Sequence, residues 1–466
     1  MSTAASTTLS TTLTTTLTTT PGTTPGTTPS SEAEAFRAEV AAWLEANRPP
    51  KPDFLLPESF MEVGTDQQFH YLRDWQRQVY QAGYLGMTWP KEYGGGGRPQ
   101  ALQDIANAEM ARLKVPFFPN TIGLFWAGPL ILAIGTEAQK RRFIPGILSG
   151  DDIWCQGFSE PDQGSDLASA QTKAVRVTDG EGDHYVINGS KIWTSLGSHA
   201  KYMILLARSD PHSARSDPPP APGRPNAADA ADAPPGGRAL QGGGRGGARS
   251  SRYAGLSYFL IPMQVPGIRT QPIRKLTGEF GFTQTFFDDA RVSADCLMGK
   301  EGEGWAIAMK TLTFERGASG GQAGGLTRMA LGIDDVVELA RRARRNGRPA
   351  IEDPFVRDQL MRFQIEAQGD RLCQQRGRIA ALCSERPDAI GLSHKLRFSE
   401  HNRRLYQFAL TLQGANCARW VGDAHALDGG LWPRSYLNAF ASTIGGGPSQ
   451  IQANIVGERV LGLPKD

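Results

Sequence analysis

Residues 154–166 read Trp-Cys-Gln-Gly-Phe-Ser-Glu-Pro-Asp-Gln-Gly-Ser-Asp, and residues 186–195 read Val-Ile-Asn-Gly-Ser-Lys-Ile-Trp-Thr-Ser. The first is a polar segment dense in turn formers, Glu160-Pro161-Asp162 and then Gly164-Ser165-Asp166. The second reads as an alternating strand, a turn at Asn188-Gly189 and a further strand. Such a pairing lines a crease with backbone amides, carbonyls and hydroxyls. Around this centre the pattern changes twice. From Ala33 to about Asp152 it is helical, with Phe36, Val40, Trp43 and Leu44 on one face. Residues 153–300 carry short β-branched runs such as Tyr185-Val-Ile187, Tyr202 to Leu206 and Leu256 to Ile261. Residues 301–466 return to long helical segments. The expected fold class is α+β: an N-terminal helical domain (33–152), a middle antiparallel β domain (153–300) and a C-terminal helical bundle (301–466).

The two quoted stretches resemble the middle domain of the acyl-CoA dehydrogenases, with motifs aromatic-Cys-x-x-x-Ser/Thr-Glu-Pro-x-x-Gly-Ser-Asp and Asn-Gly-x-Lys-x-Trp-x-Thr/Ser. The resemblance continues through residues 82–94, Leu276-Thr-Gly-Glu279, residues 286–292, Gly302-Glu-Gly-Trp305, Phe314-Glu-Arg316, Ser449 to Gln452 and Glu458 to Pro464, in family order. It implies FAD as cofactor, an acyl-CoA thioester as substrate, formation of the α,β double bond, and an electron-transfer flavoprotein or similar acceptor. It places Phe158, Ser159, Trp193, Thr194, Ser195 and Gln450 against FAD, and Ser165 and Arg316 against the substrate. Taken singly, these letters would pass for turn hydroxyls and a core Trp. Without a GxGxxG between strand and helix, the flavin is expected in a crevice between the β domain and the C-terminal helices. No metal site is expected.

Removing the weakly acidic α proton requires a base, and a carboxylate in an apolar setting is suited to it. Many family members carry that glutamate near the C-terminus, but here the matching stretch is Ile444-Gly-Gly-Gly-Pro-Ser449, with Gly446 in the acid's place and Pro448 in the threonine's. A second family pattern puts the acid on a helix just before an arginine, which assigns the role to Glu315. A solvated or salt-bridged helix glutamate is the plainer alternative. The Arg-x-Phe-Gly motif of simple homotetramers, expected on the next helix, is replaced by Arg344-Arg-Asn-Gly-Arg-Pro349, with Asn346 at the Phe. A homo- or hetero-oligomer is expected. Two alternatives stand beside an active dehydrogenase: a non-catalytic subunit that holds FAD or CoA in a heteromer, and a flavoprotein of the same fold with a non-CoA substrate.

Composition narrows the rest. Fifty basic and 47 acidic residues give a formal charge of +3, which offers no reason to expect nucleic acid. Five cysteines without a CxxC pair fit reduced, packed thiols and a cytoplasmic protein. No run of about 20 apolar residues offers a membrane span. The first 30 residues are half Thr and precede any charged side chain, so residues 1–32 read as a disordered tail. Residues 210–253 are rich in Pro, Ala, Gly, Asp and Arg, and read as a disordered insert between two strands.

Overall fold

The computed structural model describes residues 31–180, 182–210, 253–315, 331–377, 379–383 and 389–464. The expectations for residues 1–30 of the Thr-rich tail, nearly all of the insert, and Arg316 fall outside these residues; Ser31 and Glu32, expected in the tail, open the first helix instead.

Five helices come first: α1 (Ser31–Asn47), α2 (Asp66–Gln81), α3 (Gln100–Arg112), α4 (Gly128–Ile134) and α5 (Glu137–Ser149). Their ends follow local chemistry. Thr65 caps α2 by accepting from Gln68 N, and Thr136 and Gln139 form a reciprocal capping box on α5. Phe36, Val40 and Leu44 bury one face of α1, while Trp43 stacks on Trp75 with ring centroids 5.9 Å apart.

The sheet has eight strands: β1 (Trp154–Gly157), β2 (Lys173–Asp179), β3 (Gly182–Ser195), β4 (Tyr202–Arg208), β5 (Leu256–Pro262), β6 (Ile268–Ile273), β7 (Phe282–Ser293) and β8 (Leu297–Met298). Their order is β6-β7-β3-β2-β4-β5-β8, with β1 paired to β4. Pairing is antiparallel except along one edge of β4. There β1 lies parallel, Trp154 opposite Tyr202, and β2 touches the same edge through Lys173 opposite Arg208. The chain between β1 and β2 must therefore leave the sheet and return to it, and it is this excursion that carries Phe158 to Asp166.

Asn188-Gly189 is not a turn. β3 runs unbroken through it, with register shifts against β7 between Ile187 and Gly189 and again between Lys191 and Thr194. Gly189 takes φ 139°, and Asn188 pairs reciprocally with Asp289: Nδ2 donates to Oδ1 at 2.9 Å, and Asp289 N donates back at 3.0 Å. The Asn-Gly pair that would close a hairpin in isolation makes a bulge here, because both flanks find partners on β7. The second bulge matters more. It turns Trp193 into the left-handed region at φ 59° and leaves its indole 55 % exposed.

One core runs from the N-terminal helices through Trp154, Tyr202, Leu206 and Tyr258 on one face of the sheet to Ile307 and Ala308 of α6 (Gly304–Glu315). The other face has its own core around Tyr185, Phe259, Ile261 and Phe287. A third core joins α7 (Ile333–Arg342), α8 (Pro354–Gly377), α9 (Ala389–Gln413) and α10 (Leu431–Ile444), with Val336, Leu339, Phe363, Leu405 and Trp432 at its centre; α11 (Ser449–Ile455) follows. Residues 344–349, expected on a helix, form a two-residue hairpin whose turn places Asn346 and Gly347 at φ 52° and 79°.

A buried polar cluster fastens α10 to two distant segments. Arg434 donates from Nε to Glu279 at 2.6 Å and from Nη1 to the Leu56 carbonyl at 2.9 Å. Lys275 Nζ donates to Glu62 at 2.7 Å and to Asn438 Oδ1 at 2.9 Å, and Ser435 Oγ donates to Glu58 at 2.9 Å. Burial pushes the Glu58 carboxyl up to about 7, against the pull of Arg434 and with the push of Glu62.

No described helix is long and apolar enough to cross a membrane. None of the five thiols is paired; Cys155 and Cys296 are buried, whereas Cys373, Cys383 and Cys417 are half-exposed, short of the packing expected for all five.

Candidate active site

The excursion between β1 and β2 is held by an ion pair that neither strand reveals alone. Lys191, fully buried on β3, donates from Nζ to Glu160 Oε1 at 2.8 Å and to the Phe158 carbonyl at 3.0 Å. Glu160 also accepts from Gln171 N at 2.7 Å and Thr172 N at 2.9 Å. Burial alone would lift this carboxyl, but the Lys191 ammonium and the two amides outweigh it and hold it below the usual range. The Glu and Lys of the two motifs are thus the clamp that shapes the loop. Arg208 adds to it from β4, donating to the Ala168 and Ala170 carbonyls at 2.8 and 3.1 Å.

The clamp sets Phe158 and Ser159 beside the end of β3, where Ile192 N donates to the Ser159 carbonyl at 2.9 Å. Phe158 is buried against Tyr258, rings edge to face at 5.9 Å. Thr194 is buried, its Oγ1 accepting from Thr285 Oγ1 at 3.3 Å, and Ser195 is nearly so. Trp193 stands out over Phe282 at 5.8 Å. A large flat side chain held exposed in a left-handed backbone, beside the hydroxyls of Thr194 and Ser195, fits a flat aromatic ligand such as a flavin ring. Ser165 lies exposed further along the loop, and Gln450 is exposed in the first turn of α11.

Glu315 ends the described part of α6. Its Oε2 accepts from Gln156 Nε2, on β1, at 3.5 Å. One turn earlier Thr311 donates to the Ile307 carbonyl at 3.0 Å, so the Tyr258 hydroxyl, 3.0 Å away, donates to Thr311. Burial, with the Glu315 charge adding to it, pushes the Tyr258 phenol upward. From the other side comes the glycine turn after α10. A side chain starting at Gly446 would place its Cβ 3.1 Å from Glu315 Oε1. The helix glutamate thus reaches the space that an acid on the turn would occupy.

Three family models cover most of the chain: the acyl-CoA dehydrogenase N-terminal domain over residues 30–151, the middle domain over 155–218 and the C-terminal domain over 302–461. The chain belongs to the acyl-CoA dehydrogenase family. Members of this family are FAD-dependent oxidoreductases, which agrees with the surface around Trp193. The chain is 35 % identical to acyl-CoA dehydrogenase IpdE1 of Mycolicibacterium smegmatis over 443 residues, covering 93 % of this chain and 99 % of that protein. Identity to IpdE1 of Mycobacterium tuberculosis is also 35 %, with the same coverage. Among solved structures it is similar to the ChsE4-ChsE5 complex from Mycobacterium tuberculosis, with TM-score 0.68, 26 % identity, and 94 % and 99 % of the two chains covered. The Tcur3481-Tcur3483 steroid acyl-CoA dehydrogenase gives TM-score 0.67 and 27 % identity, covering 93 % and 98 %.

The sequence singled out Phe158, Ser159, Trp193, Thr194, Ser195 and Glu315; the structure brings the first two beside the end of β3 that carries residues 193–195, and sets Glu315 beside Gln156 of β1. It did not single out Gln156 or Tyr258, and Lys191 and Glu160 passed only as motif letters. A lysine amid a strand pattern, answered by a glutamate in a turn 31 residues earlier, was the available signal for the clamp.

Proposed function

We propose that this acyl-CoA dehydrogenase removes the α proton of an acyl-CoA thioester with Glu315, and that bound FAD would supply the acceptor for the β hydride. The observation that carries this reading is the convergence of Glu315 and Gly446: the carboxylate occupies the place that the family's other acid position would fill. Phe158, Ser159, Trp193, Thr194 and Ser195 are the groups that would hold the flavin ring, with Gln450 nearer its tail. Ser165 and Arg316 are assigned to the CoA thioester. The chain's own part in the chemistry is to orient the thioester, exclude water through Phe158 and Tyr258, and take the proton at the Glu315 carboxylate.

Glu315→Gln tests it. The variant should keep FAD and bind acyl-CoA, yet reduce its flavin about 100-fold more slowly, the loss expected for a general base. Reduction near the wild-type rate would favour the alternative, a chain that holds FAD or CoA while another polypeptide does the chemistry.

A finer reading concerns the substrate and the assembly. Gly446 puts no side chain against Glu315, which favours a bulky, ring-bearing acyl group over a linear one. The similarity to a steroid acyl-CoA dehydrogenase and to the ChsE4-ChsE5 complex supports the same class of substrate and a heteromer of two related chains.

A further inference from the structure

The turn over Glu315 is a run of three glycines with no side chains to hold its own shape. Gly446 and Gly447 both take positive φ, 67° and 93°. Two side chains from outside the turn fix them. Gln452, buried on α11, donates from Nε2 to the Gly446 carbonyl at 2.9 Å, and Lys395, half-buried on α9, donates from Nζ to the Gly447 carbonyl at 2.6 Å.

Lys395 does more than tie a carbonyl. The point at which a Cβ on Gly446 would stand is 3.1 Å from Glu315 Oε1 and 3.8 Å from Lys395 Cε. The carboxylate from α6 and the lysine stem from α9 therefore both border the space beside Gly446. α9 is a 25-residue helix whose far half, through Leu405, Tyr406, Ala409 and Leu412, is buried in the C-terminal core, so the lysine projects from a rigid support.

We propose that Lys395 is a positioning residue for Glu315: bonded to the Gly447 carbonyl, its side chain closes the glycine turn and restricts the carboxylate to one placement facing the substrate's α carbon. This rests on Glu315 being the base. A general base displaced by about 1 Å loses on the order of 100-fold in rate, and that is the effect to look for.

The experiment uses the FAD-loaded full chain, with its partner chain if one copurifies. A panel of thioesters from butanoyl-CoA to a steroid-acid CoA is screened for the one that bleaches the wild-type flavin fastest. With that thioester, single-turnover bleaching is compared for Lys395→Met, Lys395→Arg, Glu315→Gln and the Glu315→Gln/Lys395→Met pair. Lys395→Met should bleach about 100-fold more slowly, with flavin content and half-saturating thioester concentration within about threefold of wild type, and Lys395→Arg should recover most of the rate. In the Glu315→Gln background the lysine change should add nothing, as for residues acting as a unit. Fast bleaching by Lys395→Met beside a slow Glu315→Gln overturns the positioning role and leaves the base intact. A further loss in the double variant, or a loss that tracks missing flavin and that Lys395→Arg does not recover, also overturns it. Fast bleaching by Glu315→Gln, or no bleaching of the wild type by any thioester, overturns the reading beneath it.

Discussion

Glu58→Gln should stabilise the protein at neutral pH and leave it unchanged in acid. Glu58 sits where segment 56–62 meets α10, accepting from Ser435 Oγ at 2.9 Å with Arg434 Nη1 at 3.9 Å. Burial is the largest influence, and it raises the carboxyl from 4.5 to about 7. Below pH 4.5 the group is protonated in both the folded and unfolded chains. Between 4.5 and 7 the unfolded chain sheds its proton while the folded chain keeps it, so stability falls across this window and the loss is complete above pH 7. At 1.36 kcal/mol per unit the decline is about 3 kcal/mol. Glutamine keeps the acceptor oxygen and the shape but does not titrate. Urea unfolding of the FAD-loaded protein at pH 5, 6, 7 and 8 reads the difference between the two proteins, in which other titrating groups cancel. The variant should gain on wild type steadily with pH, by up to about 3 kcal/mol at pH 8. Parallel curves would refute the reasoning, because they would mean that Arg434 and Lys275 already neutralise Glu58.

Lys191→Met leaves Glu160 buried without its cation and should cost about 3–5 kcal/mol, read as a lower urea midpoint and a lower flavin-to-protein absorbance ratio; the Glu160→Gln/Lys191→Met pair should recover part of both. Gly446→Ala adds a methyl 3.1 Å from Glu315 Oε1 at φ 67°. Strain of about 1–2 kcal/mol is expected with a slower flavin bleach, and an unchanged rate would mean that the carboxylate does not need that space. Replacing residues 211–252 by a short Gly-Ser link should leave flavin content and urea midpoint unchanged, because Ser209 N already donates to the Gly255 carbonyl at 3.0 Å and joins the two ends.

What the sequence made legible was local or carried by a motif. The helix–strand–helix order, the strands over Tyr202 to Leu206 and Leu256 to Ile261, and the absence of an acid at Gly446 all read directly, since each depends on neighbouring letters or on a recognised spacing. Asn188-Gly189 misled for the same reason: its local preference is for a tight turn, and what overrides that is Asp289, a hundred residues away. The Glu160–Lys191 clamp and the Glu58, Glu62, Lys275, Glu279 and Arg434 cluster are likewise pairings over long sequence separations. Nothing in a window of ten residues distinguishes a lysine buried against a glutamate from one in solvent. Lys395 carries no local mark at all; its meaning comes from the carbonyl of Gly447, which only the packing of α9 against the C-terminal turn brings into reach.

The proposed exchange of the acid between two backbone sites has a physical consequence. A glutamate on α6 rests on a helix whose inner face, through Ile307, Ala308 and Thr311, is buried against the sheet, so its starting point is rigid and Gln156 can reach it from β1. The turn that no longer carries the acid must then vacate the space, and glycine at positive φ does so without strain. A turn of three glycines has little shape of its own, however, and it costs backbone entropy to hold it in one conformation. The bonds from Gln452 and Lys395 to consecutive carbonyls offset that cost. On the proposed assignment, a base on the helix therefore carries two further requirements, an emptied turn and outside side chains to hold it, and the chain meets both at Gly446.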